Sequence, residues 1–272
     1  MKLLDAQRLE RLLADDPFAR GLILLESTSS TNDEARRLAA DGAPEGTVVS
    51  AEHQTAGRGR LARSWHSPPG VGLYVSVLFR PPSAVDEVTR WTVASAVAAC
   101  EACRQAAACE VTVKWPNDLL VRGLKVAGIL AEMRSTGGSP SDLVVGTGFN
   151  VNHGPEDFPP ELRGRAISLR MARGGAPVDR ESLASDYVRA LGRMSAALVR
   201  GEWEPVVSAW MRLAPQAFGR PVRVFPGAPS GEGLPFEGTT RGLDRSGALL
   251  VERADGSIAT VHLGESVMAR ES

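Results

Sequence analysis

The sequence predicts an α+β protein, with a mixed helix-and-strand domain over residues 1–218 and a small all-β unit over 219–272. Three observations carry this reading. Helix-like and strand-like segments interleave as far as about residue 213. Near Gly219 the texture changes to short β-rich segments separated by Gly, Pro and Asp. With 43% of its 272 residues hydrophobic, the chain is long and apolar enough to bury a substantial core.

Each element has its own signal. Leu3, Leu4, Leu9, Leu12 and Leu13 fall at helical spacing within residues 3–14. LILLE (22–26) reads as a strand. After it, Thr31-Asn32-Asp33-Glu34 has the form of a capping box opening a helix to about Ala40. DGAPEG is a turn, and TVVSAEH (47–53) the next strand. Residues 54–72 lack hydrophobic periodicity and are rich in Gly, Arg and Pro, so they form a long loop, a feature that in compact domains marks function or disorder. GLYVSVLF (72–79) is a strand, and Asp86 to about Ala107 a long, largely buried helix. VTVKW (111–115), DLLV (118–121) and LKVAGILAEM (124–133) follow, the last two joined into a β-hairpin at Arg122-Gly123. DLVVGTGFNVN (142–152) adds a strand, and helices return at about 179–200 and 203–213. The segments PVRVF, FEGTTRGLD, ALLVE and IATVHL then describe a small β-barrel-type unit.

Charge and cysteine usage exclude several classes. Lys and Arg total 31 against 32 Asp and Glu, a net charge of −1, which argues against a nucleic-acid partner and makes any working positive charge local. The N-terminus mixes charges into its apolar residues, and no stretch is suited to span a bilayer, so a cytoplasmic protein without a membrane partner is expected. Cys100, Cys103 and Cys109 sit in one Ala-rich segment with no second Cys/His pair, so they read as free thiols on a buried helix rather than a zinc site.

The long loop holds Gln54-Thr55-Ala56-Gly57-Arg58-Gly59-Arg60-Leu61-Ala62-Arg63-Ser64-Trp65, three arginines interleaved with glycines and closed by a tryptophan. Glycine lets backbone approach a ligand and a loop open and shut; arginine offers fixed forks of donors to carboxylate or phosphate oxygens. Gly57-x-Gly59-x-x-Ala62 formally fits a relaxed dinucleotide fingerprint, but Ser67-Pro68-Pro69-Gly70 follows where a helix must open. A solvated basic loop is the plain alternative. In Lys114-Trp115-Pro116-Asn117-Asp118, Pro116 breaks the chain between two strands and exposes polar residues at a strand end; an Asx-type turn is the competing reading. Lys125 lies within an apolar strand, where alternation puts Lys125 and Ala127 on one face and Val126 and Gly128 on the other. A lysine on the solvent side of that strand remains an ordinary possibility.

Taken together these pieces resemble the biotin–protein ligase family. The glycine–arginine loop (Gly57-Arg58-Gly59-Arg60, then Arg63 and Trp65), the intact KWPND string at 114–118, the lysine strand Lys125-Val126-Ala127-Gly128-Ile129-Leu130, Ser30-Thr31-Asn32 and Gly148-Phe149-Asn150 occur in order and with fitting spacing. The resemblance runs from about residue 22 to the C-terminus. Many relatives carry Gly where this chain has Ala62. Only about twenty residues precede the first strand, too few for the N-terminal winged-helix domain of some members, so a short form without that route to repression is expected.

The resemblance implies the mixed-sheet catalytic domain shared by biotin and lipoate ligases, followed by an SH3-like barrel. It implies formation of biotinyl-5′-AMP from biotin and ATP with Mg²⁺, then transfer to a lysine of the biotin carboxyl carrier domain of a biotin-dependent carboxylase. Lys125, Arg58 and Arg60 are the expected catalytic residues. Ser30, Thr31, Asn32, Gln54, Gly57, Arg58, Gly59, Arg60, Lys125 and Gly128 are expected around biotin; Arg60, Arg63, Trp65, Lys114, Asn117 and Asn150 around ATP. No protein ligand for Mg²⁺ is assigned. A lipoate or octanoate ligase or transferase of the same fold, and a non-catalytic biotin sensor, are the alternatives. Monomer and homodimer both stay open.

Overall fold

The computed structural model describes residues 3–81, 88–136, 139–225, 234–263 and 266–269. Asp5 caps α1 (Ala6–Leu13) by accepting from the Arg8 amide at 3.0 Å, and Leu9 and Leu13 bury its apolar side. β1 (Gly21–Thr28) leads through α2 (Thr31–Ala40) to β2 (Thr47–Gln54), which pairs with β1 in parallel. β3 (Gly72–Phe79), β4 (Thr112–Lys114), β5 (Asp118–Val121), β6 (Leu124–Thr136) and β7 (Ser139–Asn150) complete a seven-stranded mixed sheet in the order β1-β2-β3-β7-β6-β5-β4. Every pair other than β1/β2 is antiparallel.

One face of this sheet carries the main core, built with α1, α3 (Val88–Ala107), α5 (Arg180–Val199) and α6 (Trp203–Leu213). The other face carries α2, whose Ala35 and Ala39 pack on Val49, Leu78 and Val144. A short α4 (Leu169–Ala172) is capped by Ser168. The described part of the long central helix matches its expected span; the expected start at Asp86 lies outside the described residues. Its Cys100 and Cys103, and Cys109 just beyond it, are free and buried, and burial pushes the Cys100 thiol up to about 12. The turn at Arg122 (φ 52°) and Gly123 (φ 79°) places both residues in the left-handed region, as a two-residue hairpin loop requires.

β8 (Phe218–Phe225), β9 (Phe236–Leu243), β10 (Leu249–Glu252), β11 (Ile258–Val261) and β12 (Ser266–Ala269) form a second, antiparallel sheet in the order β11-β10-β9-β8-β12.

Two local expectations need correction. No capping box opens α2: its N-cap is Ser30, without a side-chain cap bond, because the Thr31 hydroxyl turns inward and donates to Gln54 Oε1 at 3.1 Å. Strict alternation also fails in β6. Leu119 opposes Ala127 but Leu120 opposes Lys125, so Val126 is an extra residue in a bulge and Lys125 comes to the same side as Gly128.

The base of the long loop is fixed by a buried ion pair. Arg180 Nη1 lies 2.7 Å from Glu52 Oε2, with both side chains 5% exposed, and also donates to the Gly72 carbonyl at 2.9 Å. Glu52 in turn accepts from the Gly70 amide at 3.2 Å and from the Leu4 amide. One carboxylate thus joins β2, α5, the N-terminal segment and the loop's exit. Arg180→Leu strands that carboxylate, and urea unfolding at neutral pH should show a loss of about 3–5 kcal/mol. An unchanged midpoint would mean the pair anchors nothing.

Candidate active site

On the α2 face, glycines on the two middle strands form a floor. Gly128 and Gly148 are register partners across β6 and β7, and Gly146 lies two residues along β7. A methyl group at Gly146 would collide with the Asn32 side chain, one at Gly148 with the Trp65 indole, and one at Gly128 would lie 3.0 Å from Trp65 Cζ3. Glycine is needed here because side chains from α2 and the loop rest directly on backbone.

At one end of this floor the start of α2 is buried. Ser30, Thr31 and Asn32 are each under 5% exposed. The Thr31 amide donates to Gln54 Oε1 at 2.9 Å, and Ser76 Oγ lies 2.7 Å from both Thr31 Oγ1 and Asn32 Oδ1. Asn32 Nδ2 donates to Glu132 Oε2 at 2.7 Å, and Gln54 Nε2 to Ser67 Oγ at 3.0 Å. This is a compact polar network, fully engaged, which fixes the donor and acceptor atoms a ligand would meet.

The loop folds back on itself as a tongue. Trp65 N donates to the Gly57 carbonyl at 2.8 Å and Gly59 N to the Arg63 carbonyl at 2.7 Å, with a bridge between Arg58 and Ser64. Gly57 is packed against the Trp65 carbonyl, Ser67 and Gln54, leaving no room for a side chain. Leu61 (φ 55°) and Ala62 (φ 57°) are both left-handed at the exposed tip. The three arginines go to different places. Arg58 forks onto Asp33 at 2.7 and 2.8 Å and reaches Glu132 at 3.2 Å. Burial pushes the Asp33 carboxyl up, but hydrogen bonds from Arg58 and Arg36 outweigh it and hold it below the ordinary aspartate value. Arg60 donates to Asn117 Oδ1 at 3.2 Å, and burial lowers its pKa. Arg63 is exposed and near enough to Arg60 to bear on its charge.

Lys125 stands at the other end of the floor. Its ammonium lies 2.5 Å from Asp118 Oδ1 and 5.3 Å from the centre of the Trp65 ring. Asn117 Nδ2 donates to the Ile129 carbonyl at 2.9 Å, and the Ile129 amide returns a bond to the Asn117 carbonyl at 3.0 Å, so the break at Pro116 is stitched to β6. Lys114, half-buried, pairs in register with Asp118. Asn150 Nδ2 donates to the Lys125 carbonyl at 3.3 Å.

The structure therefore gathers Arg60, Trp65, Lys114, Asn117, Lys125, Gly128 and Asn150 on one side of the floor and Ser30, Thr31, Asn32, Gln54 and Gly57 on the other. Arg58 is bound to carboxylates rather than poised over the floor, and Arg63 stands outside. Sequence reasoning gave no role to Asp118, Asp33, Glu132, Ser67 or Ser76. It also missed residues 165–167, which lie along Lys125 through Lys125 N to Arg165 O and Ile167 N to Lys125 O, both 2.9 Å. The spacing of Gly146 and Gly148 in VGTGFN was an available signal for close approach to a strand.

A mixed sheet with a glycine floor, an arginine–glycine tongue and a lysine beside a carboxylate defines a ligase-type domain carrying a local cationic cluster. The chain belongs to the biotin/lipoate A/B protein ligase family, whose model matches residues 24–150. It is 34% identical over 275 residues to the biotin–[acetyl-CoA-carboxylase] ligase of Mycobacterium tuberculosis, covering 96% of each chain. It is 35% identical over 244 residues to the bifunctional ligase/repressor BirA of Bacillus subtilis, covering 90% of this chain and 73% of that one. A solved structure of the Aquifex aeolicus biotin protein ligase in complex with biotin and ATP superposes with a TM-score of 0.77 at 27% identity, over 92% of this chain and all of that one. The second sheet is the SH3-like unit of this fold.

At the margin of the site His153 is fully buried, stacked on Phe158 at 5.0 Å, and neither ring nitrogen finds a hydrogen-bond partner among the described residues. Burial pushes its pKa down to about 4, with Asp157 opposing. The folded protein thus keeps His153 neutral while the unfolded chain takes a proton below the ordinary value of 6.5. Stability is complete above that value and falls as acid approaches 4. Between pH 7.5 and pH 5 the His153 contribution should amount to about 2 kcal/mol. Urea midpoints of the native protein and His153→Leu at both pH values check this; parallel slopes would refute it.

Proposed function

We propose that the chain is an ATP-dependent biotin–protein ligase, forming biotinyl-5′-AMP and then passing the biotinyl group to one lysine of a biotin carboxyl carrier domain. The observation that carries the reading is the placement of Lys125. Its ammonium, fixed by Asp118, stands beside Trp65 at the edge of a floor whose opposite end is a buried polar network. That layout suits an apolar chain lying beside the Trp65 indole, with its polar head among Ser30, Thr31, Asn32 and Gln54 and its carboxylate at Lys125.

In the first step a carboxylate oxygen of biotin attacks the α-phosphorus of ATP, the bond to the bridging oxygen breaks, and pyrophosphate leaves. Two anions must meet, so positioned cations supply the catalysis through orientation and charge stabilisation. Lys125 bridges the carboxylate and the α-phosphate. Arg60, steadied by Asn117, and Lys114 meet the phosphates, while Arg63 stays exposed on the tongue. Arg58, through Asp33 and Glu132, holds the tongue to α2. Mg²⁺ bound with the triphosphate would supply charge neutralisation, and Asp118, beside Lys125, would be the carboxylate available to hold it. Trp65 and the tongue keep water from the mixed anhydride. In the second step the carrier's lysine amine attacks the acyl carbonyl, a C–N bond forms, AMP leaves, and the amine loses a proton. Residues 1–218 form the catalytic unit in this reading and 219–272 an appended one. The alignment over nearly the whole length of the Mycobacterium tuberculosis ligase supports the ligase reading as a whole.

Incubating the protein with biotin, ATP, Mg²⁺ and a biotin carboxyl carrier domain should add one biotin to one carrier lysine by mass spectrometry, and none without ATP. Addition from lipoate or octanoate instead would replace biotin in this reading, and bound biotin without transfer would make the protein a sensor. Lys125→Ala should slow adenylate formation by about 10²–10³-fold while calorimetry still detects biotin binding. Adenylation at the native rate would remove Lys125 from its role.

A further inference from the structure

Among the described residues, the second sheet meets the segment behind the site through a tight turn. The β9–β10 turn, residues 244–247, reaches the segment that carries Lys114, Asn117 and Asp118. The indole N–H of Trp115, 7% exposed, donates to the Gly247 carbonyl at 3.2 Å. Arg90 Nε on α3 donates to the Arg245 carbonyl at 2.8 Å. Gly247 (φ 85°) packs so closely on α3 that a methyl group there would lie 3.1 Å from Thr89 Cγ2. The turn's shape is set from within, since Asp244 Oδ1 accepts from Ser246 N, Ser246 Oγ and Ala248 N at 2.8, 2.7 and 3.0 Å.

We infer that this turn is a positioning element for the nucleotide side of the site, acting through Trp115. The inference deepens the ligase reading and rests on it. Trp115 immediately follows Lys114 and precedes Asn117 by two residues, and a buried indole held at both ends cannot shift without moving them. Asn117 receives Arg60 of the tongue, and Asp118 holds the Lys125 ammonium. Displacing the turn therefore disturbs the groups that meet phosphates. The hydrogen bonds of Thr31, Asn32 and Gln54 run instead to β2, β3, β6 and the loop. Trp115 and Asp244 are positioning residues, and their mark is a selective effect on ATP.

The test uses the full chain and steady-state adenylation with ATP and biotin varied separately. Trp115→Phe keeps the ring and removes the donor; Asp244→Ala loosens the turn from the opposite side without touching the site. Each should raise the KM for ATP about three- to tenfold, roughly what one orphaned buried acceptor is worth, and leave the KM for biotin at its native value. Because both act through one contact, the double variant should be no worse than about the poorer single one. Arg253→Ala, which removes a guanidinium lying 4.4 Å over the Phe236 ring in the same sheet, should leave both constants alone. Equal rises in both KM values, an unchanged KM for ATP in Asp244→Ala, or additive effects would overturn the proposal. Should Trp115→Phe fail to fold, Asp244→Ala carries the test by itself. Absence of ATP-dependent biotin transfer by the native protein would count against the ligase reading, whereas an active native protein with indifferent variants would count against the turn alone.

Discussion

Side chains on the α2 face of the large sheet reach its backbone because Gly128, Gly146 and Gly148 leave space there, and the position of every charged group in the site follows from that approach. Trp65 settles on two of these glycines and draws the end of the tongue down. Asn32 settles on the third and fixes the start of α2. The bulge at Val126 then turns Lys125 toward the same floor, where the register of β5 supplies Asp118. Replacing any of these glycines with a larger residue would lift an element off the sheet, at a cost set by overpacking rather than by lost contacts.

The net charge of −1 becomes intelligible at this scale. Several cations in and beneath the site come with carboxylates of their own: Arg58 with Asp33 and Glu132, Lys125 with Asp118, and, beneath the loop, Arg180 with Glu52. Paired charges in partly buried places are held at fixed geometry and are little screened, so a locally cationic site needs no basic surplus over the whole chain. Fixed geometry also means that little reorganisation accompanies charge development in the adenylation step.

Element existence was legible because hydrophobic period and turn chemistry are local. The β-rich run GLYVSVLF and the Arg122-Gly123 turn contain their own answers. What escaped depends on partners distant in sequence. Thr31 has every local mark of a cap, yet Gln54, twenty-three residues on, offers its hydroxyl a better-placed acceptor. The bulge in β6 exists because of its pairing with β5, and nothing within LKVAGIL announces it. Asp33 and Glu132, twenty-five and seventy-four residues from Arg58, become its partners only when α2 and β6 share a face. The motifs thus marked where the site lies, while the carboxylates that orient it had to be seen in the fold.

The tongue shows how such a site can be both closed and able to open. Two consecutive left-handed residues without glycine, Leu61 and Ala62, cost on the order of 1–2 kcal/mol each. That strain sits at an exposed tip held by two backbone bonds, Gly59 N to Arg63 O and Arg63 N to Arg60 O. The flanks are secured much better, by Arg58 on α2 and by the Trp65 indole on the glycine floor. Strain at the tip and anchorage at the flanks together favour opening by local unbending around residues 59–63, with both ends of the tongue remaining in place. Arg60, the cation on that bending segment, is then the group whose approach to the floor follows the state of the tip. Its bond to Asn117 is the latch that bending must break.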